Sequence, residues 1–151
     1  MTTGQPKPPL REVGRAPLTR RISCSIAGVE FWKVSRAPFG IVIACAGHDK
    51  EGTVAAAVEA FEQLVSEDER RFTIFADLTE MSGYESQSRL AWQEAFRRHR
   101  ERVDQLVLIG AQSSLIRMGA AAVGSFAGIP VSFVPSWHDV AGTVSKQRDL
   151  G

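Results

Sequence analysis

The stretch that most constrains this chain runs over residues 71–103, RFTIFADLTEMSGYESQSRLAWQEAFRRHRERV. Phe72-Thr73-Ile74-Phe75-Ala76 is aromatic and β-branched, too short and too uniformly apolar for a surface helix, so it reads as a buried strand. Asp77 and Leu78 end it, and an acidic residue at a strand's carboxyl end faces the crevice where open α/β sheets take ligands. Ser82-Gly83-Tyr84-Glu85 fits the S-x-x-E capping box, in which hydroxyl and carboxylate satisfy amides at a helix start. A helix is therefore expected from Ser82. Beyond Leu90, the residues Trp92, Phe96, His99 and Val103 recur at i, i+4, i+7 and i+11, which sets them on one stripe. Arg89, Arg97, Arg98, Arg100 and Arg102 lie mostly off it. They give the helix a basic outer face, crowded toward the C-terminal half where the macrodipole favours cations.

The flanks repeat the pattern. Ile22 to Ile26 reads as a short strand, and Glu30–Val34 and Ile41–Cys45, joined by Ala37-Pro38-Phe39-Gly40, read as an antiparallel hairpin. Val54, Val58, Phe61 and Val65 mark a first helix, with Asp49 or Thr53 as candidate caps. Gln105–Gly110 is a second buried strand, apolar on both faces as internal parallel strands are. Ser113 or Ser114 then caps a helix rich in glycine and alanine. Each of its glycines costs about 1 kcal/mol of helix propensity, so a close packing contact is expected to offset them. Val131–Val134 is a last strand, and Asp139 to Lys146 a weak final helix. Strands alternating with helices call for a mainly parallel sheet with right-handed crossovers. Residues 1–20 hold four prolines and two glycines without apolar periodicity, so a disordered basic tail is expected there, with one domain over 21–151.

Composition narrows the function classes. A chain of 151 residues buries about two-thirds of its unfolded surface in one domain. A net charge of +1 is not the basic excess of a dedicated nucleic-acid binder. No apolar run reaches the roughly 18 residues of a membrane span, and no signal core opens the chain. A cytoplasmic location is expected. Cys24 and Cys45 lie in apolar runs without C-x-x-C spacing and read as free buried thiols. His99 shares the stripe with Trp92 and Phe96, as a core or semi-buried histidine would rather than a general base. His48-Asp49 and His138-Asp139 are neighbours in sequence only, and neither H-E-x-x-H nor G-x-S-x-G occurs. Gly119-x4-Gly124-Ser125 lacks the lysine of a phosphate loop and falls inside a helix. No enzyme, metal site or cofactor is expected from this inventory.

Asp77-Leu78-Thr79 at the strand end and Tyr84-Glu85-Ser86-Gln87-Ser88 at the helix entry carry a resemblance. With the element order, they resemble the STAS domains of bacterial anti-sigma-factor antagonists, and the SpoIIAA-like (STAS/SEC14) families of short bacterial proteins more closely. In the antagonists the loop reads Asp-Leu-Ser, then Asp-Ser-Ser-Gly, and the first serine of the second group is phosphorylated by a partner kinase. By position Ser86 takes the phosphorylated place, Glu85 the acidic residue before it and Asp77 the strand-end aspartate. Gln87 and Ser88 stand where the family has Ser-Gly.

The resemblance implies a STAS-like α/β fold: a mixed, mainly parallel sheet with an N-terminal antiparallel hairpin and about four helices. It also implies a non-enzymatic, regulatory signalling module that docks a protein partner, a kinase, an anti-sigma-like or another regulator. The docking residues would be Asp77, Thr79, Tyr84, Glu85, Ser86 and Arg89, with Ser86 and Ser82 the candidate phosphorylation sites. A phosphate there would meet free amides and the positive end of a helix dipole. The plainer reading of Ser86 is a polar residue in a first helical turn, and of Asp77 an acceptor for loop amides. The arginines from Arg97 to Arg102 read as a solvated face or as the receiver of an acidic partner. Two other classes stay open. One is a small-ligand or lipid carrier lined by Trp92, Phe96 and Met118; the other is a homo-oligomer joined through the hairpin's edge strand or the glycine-rich helix.

Overall fold

Strand β5 (Phe72–Asp77), the apolar run on which the sequence turns, lies inside a six-stranded sheet. On one side of it β1 (Arg20–Ile26), β2 (Val29–Ala37) and β3 (Gly40–Cys45) form an antiparallel meander, and β3 pairs parallel with β5. On the other side β7 (Val103–Ile109) and β8 (Val131–Val134) continue the sheet in parallel, giving the order β1-β2-β3-β5-β7-β8. This computed structural model describes residues 20–26, 29–38, 40–48 and 53–140, with side chains from Phe31 onward. The expected tail, apart from Arg20 in β1, and the expected final helix beyond Val140 lie outside the described residues. So do Asp49 and the side chain of Cys24; Cys45 is a buried thiol.

The described residues hold three helices, α1 (Val54–Ser66), α2 (Ser86–Arg98) and α3 (Ser114–Ala127), against about four expected. The segment expected to start the fourth forms a single 3₁₀ turn over Trp137–Asp139. Each helix connects neighbouring parallel strands that are added in one direction. Right-handed crossovers of that kind put every helix on the same face. Ile41, Ile43, Ile74, Leu106 and Leu108 accordingly form one core with Phe61, Leu64, Trp92, Phe96, Ile116 and Val123 of the helices. Phe61 stands at its centre, with ring centroids 5.5 Å from Phe96 and 5.9 Å from Trp92. The opposite face is smaller: Val42, Phe75, Val107, Ile109 and Val134 are covered by Val140 and Trp137.

Helix ends depart from the expected ones at both ends of α2. Ser113 caps α3 by accepting the Ile116 amide at 3.2 Å, and Thr53 occupies the cap position of α1 without a side-chain cap bond. Gly128, at φ 82°, ends α3: its amide and that of Ile129 donate back to Ser125 and Gly124, and Pro130 prevents continuation. α2 does not begin at Ser82. Ser82 lies in β6 (Met81–Gly83), which pairs parallel with β4 (Gly47–His48), and Glu85 occupies the cap position itself with no side-chain cap bond. The capping box is thus not formed, because Ser82-Gly83 is spent on a strand pair. The stripe also ends early. α2 stops at Arg98 and Val103 opens β7, while Leu90 is exposed and off the buried side.

The basic outer face of α2 is largely neutralised within the chain. Arg98 reaches Glu62 at 2.8 Å, and Arg97 reaches Glu94 at 3.5 Å. Arg102 donates to the carbonyls of Val65, Asp68 and Arg70, closing the end of α1 and the turn into β5. Asp68 pairs with Arg70, whose hydrogen bonds hold its carboxyl well below the usual carboxylate range. His99 is half-buried against Phe61, the semi-buried placement its position on the stripe allowed, and its Nε2 meets Glu62 at 3.0 Å.

Candidate functional site

Parallel strands carry their following helices off one edge, so the starts of α2 and α3 lie together at the carboxyl ends of β5 and β7. The residues expected to form a docking site are all at this edge, but they do different work. Asp77 is half-buried. One carboxylate oxygen accepts the Thr79 amide at 3.1 Å, and the other accepts Trp137 Nε1–H at 2.8 Å. The plainer reading of Asp77 as an acceptor for a loop amide holds, with a second donor that the sequence did not disclose. Thr79 is exposed and its carbonyl accepts from Gln112 Nε2 at 2.5 Å, tying the loop after β5 to the one after β7.

Glu85 and Ser86 are exposed at the start of α2, and Glu85 pairs with His48 Nε2 at 3.2 Å across β4. Ser86 is the first helical residue, and Ser82 is exposed on β6. Tyr84 is half-buried, and its ring tip lies against α3. A Cβ at Gly119 would collide with its hydroxyl oxygen. Gly124 is filled in the same way by Val131 and Leu106. The thin profile of α3 is therefore an internal fit to Tyr84 and the sheet, the close packing that the glycines called for.

Arg89 is not on the outer face. It is half-buried and, with Ser88 and Trp92, lines a cavity of about 70 Å³ between α2, α3 and the sheet. The walls are almost wholly apolar, built from side chains such as Ile116, Val123, Leu106 and Leu108. Trp92 and Phe96 line it as the carrier reading expected; Met118 does not, being 68% exposed on the far side of α3. Ser88 is 1% exposed and Trp92 6%, and neither Ser88 Oγ nor Trp92 Nε1 has a hydrogen-bond partner. The sequence did not mark Ser88 as a lining residue. The signal was present, since Ser88 is one turn before Trp92 and extends the Trp92–Phe96 stripe toward the helix start.

The outer side of α3 carries a second feature. Leu115, Met118 and Phe126 are 71%, 68% and 67% exposed and fall at i, i+3 and i+11, one stripe of large apolar side chains facing solvent. The three histidines have different surroundings: His48 meets Glu85, His99 meets Glu62, and His138 is exposed in the 3₁₀ turn after β8. Among the described residues no group of three His, Cys, Asp or Glu side chains is placed to hold a metal. Nor is any helix of the described residues long and apolar enough to cross a membrane.

No protein-family model matches this sequence, and no curated protein matches it. Among solved structures, the chain is similar to an uncharacterized protein of the DUF3478 family with a SpoIIAA-like fold from Shewanella loihica PV-4. The TM-score is 0.59 at 14% identity, covering 75% of this chain and 91% of that one. The chain has a STAS/SpoIIAA-like α/β fold, a mixed and mainly parallel sheet with an antiparallel N-terminal part, as its element order implied.

Proposed function

We propose that this chain is a non-enzymatic regulatory module that docks a partner protein through the edge formed by the start of α2 and the outer side of α3. The observation that supports this most is the exposed stripe Leu115, Met118 and Phe126. Three large apolar side chains exposed on one side of a single helix exceed the singly scattered ones a surface ordinarily carries, and exposed apolar patches mark interaction sites. Ser86, exposed at the first residue of α2, lies at the same edge as Leu115, the second residue of α3. A phosphoryl group on Ser86 would add negative charge beside helix amides and alter the docking face. The resemblance of the loop puts a kinase or an anti-sigma-like regulator first among partner classes.

The test is affinity capture with the full chain from the host's extract, repeated with Leu115→Lys/Met118→Lys and with Ser86→Asp. A partner captured by the native chain is expected to be lost with the double variant and its recovery changed by Ser86→Asp. A partner retained equally by all three chains overturns the proposed face. A native chain that sediments as a dimer, dispersed by the double variant, would assign the stripe to a second copy of the chain instead.

A further inference from the structure

The cavity between α2, α3 and the sheet owes its room to small side chains on two of its walls. Ala76 on β5 and Ala120 on α3 both line it, whereas the space above Gly119 is taken by Tyr84. Protein interiors are otherwise close-packed, with few voids larger than a water molecule. This one holds about 70 Å³, and its surface is hydrocarbon almost throughout, from residues such as Ile43, Leu106, Ile116 and Val123. The polar groups beside it do not open into it. Ser88 Oγ and Trp92 Nε1 are inaccessible even to a water-sized group, and the Tyr84 hydroxyl lies over Gly119. Arg89 meets the space through its methylene stem. A settled water needs roughly two to four polar partners, which these walls do not offer.

The geometry points to a binding site for a small neutral hydrocarbon group. Atoms that line a void have no contact partners on that side, and an apolar guest supplies them without giving up hydrogen bonds. A charged or strongly polar guest would lose its hydration and find nothing to replace it. The volume is about half of the roughly 150 Å³ of an apolar cavity that takes benzene, so the enclosed part amounts to about three or four carbon atoms. The same chemistry could come from a free small molecule or from the end of a longer alkyl chain. A longer chain would leave past the half-buried lining residues Tyr84, Arg89 and Ala120. The cavity is on the inner side of α3 and Met118 of the docking stripe on the other, so the two sites are tested separately.

Proton–nitrogen NMR of the full chain, titrated with cyclopropane, xenon and acetamide, tests the site. Saturable shifts of the Trp32 and Trp92 indole N–H resonances are expected with cyclopropane and xenon, since both rings line the cavity. Acetamide, similar in size to cyclopropane but bound to its hydrogen bonds with water, should produce none. Ala120→Leu and Ala76→Leu fill the space from the helix and from the strand. Each should weaken binding about tenfold or more, the worth of about two buried methylenes. Because they lie on different elements, either serves if the other disturbs the fold. Arg97→Leu, which adds apolar bulk on the outer face of α2, should leave binding unchanged. Butan-1-ol, hexan-1-ol and decan-1-ol separate the sources. Affinity that levels off after butan-1-ol identifies a free small molecule, and affinity that rises through decan-1-ol and is lost in the filled variants identifies the end of an alkyl chain. Absence of saturable shifts with both apolar guests overturns the site, as does acetamide binding as well as cyclopropane, or binding indifferent to both leucine substitutions.

Discussion

At the scale of single residues, the polar side chains that tie the helical layer together are mostly spent on one another. Glu62 on α1 receives both Arg98 and His99 from the end of α2. Burial acts to raise its pKa, but the hydrogen bonds from His99 and Arg98 outweigh that and hold the carboxyl below its ordinary value of 4.5. A carboxylate lowered in the folded state stabilises above its ordinary pKa, and the contribution is lost as pH falls through the lowered value. Glu62→Gln is therefore expected to cost about 1 kcal/mol at neutral pH, the scale of a partly exposed ion-pair network. The difference from the native chain should shrink steadily on acidification below 4.5. Urea midpoints of both chains across that range check it, and a gap independent of pH would refute the linkage. None of this was legible in the sequence. The arginines read as a solvated basic face because periodicity shows which side of a helix a residue occupies, not which acidic residue the next helix brings to it.

Elements were legible in proportion to their periodicity. The apolar runs of β3, β5 and β7 and the stripes of α1 and α2 carried enough signal to give the sheet and its mixed pairing. The short pair β4–β6 did not. Two or three residues have no period, and Ser82-Gly83-Tyr84-Glu85 offered a capping box that fitted local rules while tertiary pairing with Gly47 and His48 decided the outcome. The fit between Tyr84 and α3 was half legible: the glycines announced a close approach but not which side chain makes it. Gly119→Ala should make the origin of that fit measurable. Alone, the added Cβ meets the Tyr84 hydroxyl and should destabilise by about 1 to 3 kcal/mol, the usual cost of overpacking. With Tyr84→Ala already in place, the clash is gone and the same change should stabilise by up to about 1 kcal/mol through helix propensity. Such a reversal of sign in a double-mutant cycle is the signature of direct contact. Additive effects would mean that Gly119 is constrained by something else.

Over the whole molecule, the direction in which strands are added explains the division of labour between the two faces of the sheet. Three right-handed crossovers load α1, α2 and α3 onto one side and leave the other to be covered by the segment after β8. Asp77 couples the two sides. It is at the carboxyl end of β5, takes the amide of Thr79 in the loop leading toward β6 and α2, and takes the indole N–H of Trp137 from the segment over the opposite face. Trp137 in turn packs on Phe75 with ring centroids 5.8 Å apart. Asp77→Ala would leave both donors without their acceptor, a loss of about 1 to 3 kcal/mol if neither finds water. If Asp77 serves mainly as this tie, the variant should raise amide exchange both at Thr79 and over residues 134–140, two places joined through this one side chain. Asp77→Asn, which keeps one acceptor, should restore part of the protection. If Asp77 instead serves mainly a docking partner, exchange in the isolated chain will be unchanged and only capture of the partner will fall. The two roles are thus separable in a single residue. Which one dominates decides whether the strand-end aspartate belongs to the signal-bearing edge or to the scaffold that holds that edge in place.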